Sequence, residues 1–116
     1  MKLAQRQRKL DGLLRKVVHN NESKCYVCGR NGTDVAHLFV RNKLATRWDT
    51  KNCHLLCRRC HALSHQSEDV YADAFIRKEG EEEYDALRLA SNQMVGNVRM
   101  FMDKVEEELN EFIESY

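Results

Sequence analysis

The 116 residues contain no proline, and the five glycines are scattered singly. Nothing in the composition therefore forbids long uninterrupted helices. No apolar run approaches the ~20 residues that span a bilayer, so a soluble chain without a membrane segment is expected. The opening MKLAQRQRKLDGLL lacks the apolar core and small-residue cleavage site of a secretory signal, which makes a cytoplasmic, intracellular protein the expectation. Cysteine occurs five times, an odd number that no set of disulfides exhausts, and a reducing compartment makes such a framework unfavourable. Metal is the better use for them.

Acidic residues are scarce in the first part of the chain. Residues 1–66 carry fourteen Lys or Arg against four acids, Asp11, Glu22, Asp34 and Asp49, whereas residues 67–116 carry five basic residues against fourteen acids. The net charge of +1 thus hides two regions of opposite sign. A basic front half suits a polyanion such as nucleic acid; the plainer reading is that the acidic tail folds back to neutralise it. The length allows one compact domain with an accessory helix or two.

Three segments are expected. In residues 1–22, Leu3, Leu10, Leu13, Leu14, Val17 and Val18 fall mostly on one stripe with Lys and Arg elsewhere, which predicts a basic amphipathic helix. Residues 23–67 open with CYVCGRNG, a tight loop in which Gly29 and Gly32 are expected at positive φ. TDVAHLFV then alternates as a strand, with Val35, His37 and Phe39 on one face. A loop bearing Trp48, read as a core residue in preference to a stacking platform, leads to a second short strand at CHLL and a helix from about Arg58 to His65. Residues 68–116 predict helices, one ending at Gly80 and another from about Glu81 with an interruption near Gly96. Within the latter, Val95, Val98, Met102, Val105, Leu109, Phe112 and Tyr116 form a heptad-like seam. It serves either the chain's own core, with the N-terminal helix as partner, or a homodimer.

Two C-x-x-C pairs, Cys25/Cys28 and Cys57/Cys60, have the spacing of a closed four-thiolate structural zinc site, and a small domain with a thin core depends on such an ion for folding. Cys53 reads as a small core residue. His37, His54, His61 and His65 remain. His61 and His65 are one helical turn apart and suit either a shared ion or a pair satisfied by carbonyls. His54, opposite Cys53 and Leu55 on its strand, either lines the cleft or lies at the surface, and the surface is the expectation.

The order of these groups, "CYVCG", "AHLFVR" and "NCHLLCRRCH", resembles the zinc-knuckle form of the HNH endonuclease family over roughly residues 24–66. "AHLFVR", "TRWDTKN" and "CRRC" are most similar to the phage NinG/Rap recombination endonucleases. The resemblance implies an α+β fold, a treble-clef zinc fold holding a ββα-metal core between a basic N-terminal helix and acidic C-terminal helices. It implies His37 as general base, Asn52 as the residue that pins the loop and orients that base, and His61 as ligand of a catalytic divalent cation. The family's further ligand position, just before the base, is Ala36 here; His65 is the first candidate to replace it and Asp34 the second. Magnesium, manganese, nickel and zinc all suit such a site.

The expected activity is metal-dependent hydrolysis of DNA phosphodiesters on branched or recombination intermediates by a phage protein in a bacterial host. Arg41, Arg47, Arg58 and Arg59 are candidates for contacts with the DNA backbone. The competing readings are an inactive treble-clef module that binds DNA or a host protein, and a regulator that uses its acidic helices against a host factor.

Overall fold

The computed structural model describes residues 2–116 as eight elements: α1 (Leu3–Asn21), β1 (Asp34–His37), α2 (Leu44–Arg47), β2 (Cys53–Leu56), α3 (Arg58–Gln66), α4 (Glu68–Glu79), α5 (Glu81–Ser91) and α6 (Val98–Glu114). The fold is α+β, a small two-stranded sheet within a frame of helices. The strands are antiparallel, with Asp34 opposite Leu56, Val35 opposite Leu55, Ala36 opposite His54 and His37 opposite Cys53. Because residues facing each other across a ladder share a face, Val35, His37, Cys53 and Leu55 lie on one side and Ala36, His54 and Leu56 on the other.

Each face has its own core. On the first, Cys53 and Leu55 join Leu10, Leu14, Val17 and Val18 of α1, Trp48, and Met102, Val105 and Leu109 of α6. On the second, Ala36 and Leu56 pack with Cys25, Cys60 and Tyr71 of α4. The three expected segments therefore share a core, since the first cluster draws on all of them.

The seam of α6 is used within the chain. Met102, Val105 and Leu109 are buried in the cluster with α1, and the Tyr116 hydroxyl donates to the Val17 carbonyl at 3.2 Å. Arg6 pairs with Asp103 and Lys9 with Glu106, so part of the acidic tail does neutralise the basic helix. Val95 precedes α6, which starts at an Asn97 cap whose side chain accepts from the Met100 amide at 3.0 Å. That cap and the segment around Gly96 produce the expected interruption.

The knuckle glycines differ from expectation. Gly29 has φ +79°, as anticipated, but Gly32 is not among the positive-φ residues. Its constraint is space: a Cβ there would lie 2.7 Å from the Leu55 Cγ. The short helix α2 was also not foreseen, because four residues carry no usable periodicity.

Candidate functional site

The four knuckle cysteines come together at the junction of the loop before β1 and the start of α3. Their Sγ atoms all lie within 4.8 Å of one another, a cluster compatible with a structural zinc ion. The Cys28 and Cys57 sulfurs are 3.8 Å apart, close to the edge of a tetrahedron built on Zn–S bonds of about 2.3 Å. The turns aim amides at the sulfurs: Cys28 N–H donates to Cys25 Sγ at 3.5 Å, and Cys60 N–H to Cys57 Sγ at 3.4 Å. Burial alone would raise the Cys25 thiol, but the surrounding amide donors outweigh it and hold the thiol down to about 6. Burial and the neighbouring thiols push Cys60 up to about 12. The opposite directions mark Cys25 and Cys60 as close, interacting thiols. Cys53 stands apart in the first core, 1 % exposed, with its sulfur 3.6 Å from the Arg47 carbonyl.

His37, His61 and His65 line one cleft of about 550 Å³, together with Arg41 and Lys43. No carboxylate lines it among the described residues. His37 projects from the end of β1, and its Nε2 lies 2.8 Å from the Arg47 carbonyl. A carbonyl only accepts, so Nε2 carries the proton and Nδ1 keeps the lone pair. Burial lowers the His37 pKa below its usual 6.5 and outweighs the Arg47 carbonyl, which favours the charged form. The imidazole is therefore neutral near pH 7 and able to accept a proton.

The carbonyl that fixes His37 is itself held by α1. Asp11 receives the Arg47 guanidinium through two bonds, at 3.2 and 2.9 Å, and the Trp48 indole N–H at 2.8 Å. Burial alone would raise the Asp11 carboxyl, but the Arg47 and Trp48 bonds hold it below the ordinary carboxylate value. Asn52, fully buried, closes the loop on its other side. Its amide accepts from Phe39 N–H at 2.8 Å and donates to the carbonyls of Phe39 at 3.0 Å and Thr46 at 3.1 Å. The Asn52 side chain thus joins the two ends of the loop that separates His37 from β2.

On α3, the rings of His61 and His65 are 4.9 Å apart between centroids. His61 Nδ1 donates to Asp34 at 3.0 Å, leaving the Nε2 lone pair free to accept. Asp34 also takes the Thr33 hydroxyl at 2.9 Å and lies 3.7 Å from Arg58. The His61 bond, ahead of the other influences, holds the Asp34 carboxyl below its ordinary range. Asp34 is placed to orient His61 by this bond.

Two sequence expectations are corrected here. Arg47 was expected to contact DNA, but it is 7 % exposed and turned inward onto Asp11 and the Trp48 ring. His54 was expected at the surface, but it is 8 % exposed, stacked under Tyr26 and bonded to Tyr71. Arg41, Arg58 and Arg59 are exposed, and of these only Arg41 lines the histidine cleft. Trp48 is a core residue, 4 % exposed. Asp11 was missed. Its signal was that it is the one acid in a helix otherwise rich in Lys and Arg, beside the buried stripe.

No protein-family model matches the chain, and no significant match is found to a curated protein or a solved structure.

Proposed function

We propose that this protein is a metal-dependent endonuclease of the HNH type, with a ββα-metal core in a treble-clef zinc fold, hydrolysing DNA phosphodiesters. The observation that carries the reading is that His37 and the His61/His65 pair share a cleft lined by cations and free of carboxylates among the described residues. That combination suits a polyanionic substrate. The order strand, loop, strand, helix, with Asn52 bracing the loop and the four-cysteine cluster at the start of the helix, agrees with the proposal.

In this reading His37 Nδ1 takes the proton of a water that attacks phosphorus, and the P–O3′ bond breaks, the departing O3′ taking a proton from solvent water, to leave 5′-phosphate and 3′-hydroxyl ends. The Asp11–Arg47 pair and Asn52 hold the base in place. His61 Nε2 and His65 would hold the divalent cation, with water completing its shell, and Asp34 orients His61. When bound, that cation supplies Lewis-acid stabilisation of charge on the phosphate. Arg41 and Lys43 meet the strand at the cleft, and Arg58 and Arg59 extend the basic surface along α3.

A branched recombination intermediate from a phage is the substrate we propose. Cutting it symmetrically takes two active sites. With the centre of the α6 seam covered by α1, the half-exposed Phe112 and Tyr116 remain available for a homodimer contact. The alternative, an inactive zinc module that binds DNA or a host protein, draws on Ala36, which is buried and offers no ligand atom.

The test is cleavage of a labelled four-way junction and a matched linear duplex by zinc-loaded protein, with magnesium, manganese or nickel added. Cutting that requires the added ion, and falls in His61→Ala while zinc stoichiometry is unchanged, is expected. Inertness on every DNA with the fold intact would favour the binding module.

A further inference from the structure

A second cleft, of about 570 Å³, opens on the His54 side of the sheet between the cysteine knuckle and helices α4 and α5. Its walls include Tyr26, His54, Phe75 and Leu87. Glu22, Asp49, Glu79 and Glu83 also line it, against a single lining lysine, Lys51. None of these residues belongs to the four-cysteine cluster or the histidine cleft.

We infer that this cleft binds a guanidinium or ammonium cation carried on an apolar stem. The hydrogen-bond inventory supplies the first reason. The Tyr71 hydroxyl donates to the Ala36 carbonyl at 3.3 Å, so it accepts from His54 Nδ1 at 2.6 Å. The His54 proton is therefore on Nδ1, and Nε2 is an acceptor with no protein partner among the described residues on a ring only 8 % exposed. The Tyr26 hydroxyl is also buried without a partner. The four carboxylates add only acceptors when ionised. A group made of donors alone answers such a lining, and those groups are guanidinium and ammonium.

Charge and shape supply the second reason. Four carboxylates face Lys51 and the nearby Lys78, so the cleft retains an excess of negative charge. The Lys78 ammonium already sits 3.9 Å from the Tyr26 ring centroid, a cation on the aromatic wall of the same region. Phe75, Leu87 and the alanines of α5 offer the apolar surface for a stem. The contrast with the histidine cleft, which has basic residues and no carboxylate among its lining, makes a nucleic-acid strand the wrong occupant here.

The experiment uses the zinc-loaded full chain, isotopically labelled, titrated with 2-phenylethylguanidine, with 3-phenylpropionate, and with N-acetylargininamide. Saturable NMR shifts at Tyr26, His54, Phe75 and Leu87 are expected with the guanidine at a dissociation constant of ~1 mM, the range a ligand of this size reaches. The anion, with a similar stem, should bind at least about tenfold more weakly. Ala86→Trp, at an exposed lining position on α5, should abolish the shifts. The double substitution Glu79→Gln and Glu83→Gln, on exposed residues, should weaken binding about tenfold with the dispersed spectrum retained. A response to N-acetylargininamide supports an arginine side chain of a polypeptide as the source of the cation; a response to phenylethylguanidine alone supports a free amphipathic cation. No saturable response to either cation, equal binding of the anion, or undiminished binding in both variants would overturn the inference.

Discussion

His37 and His54 occupy neighbouring rungs of one two-stranded ladder and point to opposite faces of it, and their surroundings are chemically opposed. Each is held through one ring nitrogen by a partner that a helix brings in. For His37 that partner is the Arg47 carbonyl, steadied by Asp11 of α1; for His54 it is the Tyr71 hydroxyl of α4. The first imidazole opens on a cleft with arginine and lysine, the second on a cleft with carboxylates. Residue type alone thus says little about a histidine's role. Which face it occupies, and which helix packs there, decides whether it faces basic or acidic side chains.

The strongest way to break the comparison is to remove what both faces share. Stripping zinc with a chelator, or Cys57→Ser, should unfold both clefts together, since structural zinc contributes on the order of 10 kcal/mol and a domain's net stability is of the same order. Loss of helical circular dichroism that zinc restores for the wild type, but not for the variant, is the expected record. A folded, zinc-free chain would contradict it.

A smaller effect should appear on the His54 face alone. Burial, with a lesser contribution from Lys78, pushes His54 down from 6.5 to about 4. The unfolded chain therefore takes up this proton first as pH falls. The stability conferred by the neutral buried ring is fully present above about 6.5 and is lost progressively towards pH 4, amounting to about 3 kcal/mol. An NMR titration should place the His54 midpoint near 4. The stability of His54→Gln at fixed zinc should lack this component of the pH dependence.

The smallest of the three effects sharpens the other face. Asp11→Asn keeps an acceptor oxygen but weakens the charge-assisted bonds to the largely buried Arg47 guanidinium, at a cost of about 2 kcal/mol in urea unfolding. It should also slow DNA cleavage about tenfold by loosening the carbonyl that fixes His37, with the His54 resonances unmoved. Cleavage at the wild-type rate would show that α1 does not position the base.

The cysteine pairs were legible in the sequence because C-x-x-C spacing is a local signal that tertiary packing does not alter. The break at Gly80, the seam of α6 and the two strands were legible for the same reason. His54 was not, because β2 is buried throughout and so shows no alternation between a wet and a dry side. Arg47 was misread because its partner, Asp11, lies 36 residues earlier and no local pattern links them. The constraint on Gly32 is invisible in sequence, being the approach of Leu55. The expected ligands, the base and the loop-pinning Asn52 were read by family resemblance; what the fold adds is Asp11, which braces the Arg47 carbonyl side of His37, and the bond from His61 to Asp34, which the sequence offered only as a candidate ligand.

The most direct test compares the two faces in a single assay, metal-dependent cleavage of a labelled four-way junction by His37→Ala and His54→Gln, each zinc-loaded and folded. His37→Ala should lose at least about 100-fold in rate, the contribution of a general base, while His54→Gln stays within a few-fold of wild type. Equal loss in both variants, or cleavage undiminished in His37→Ala, would contradict the account.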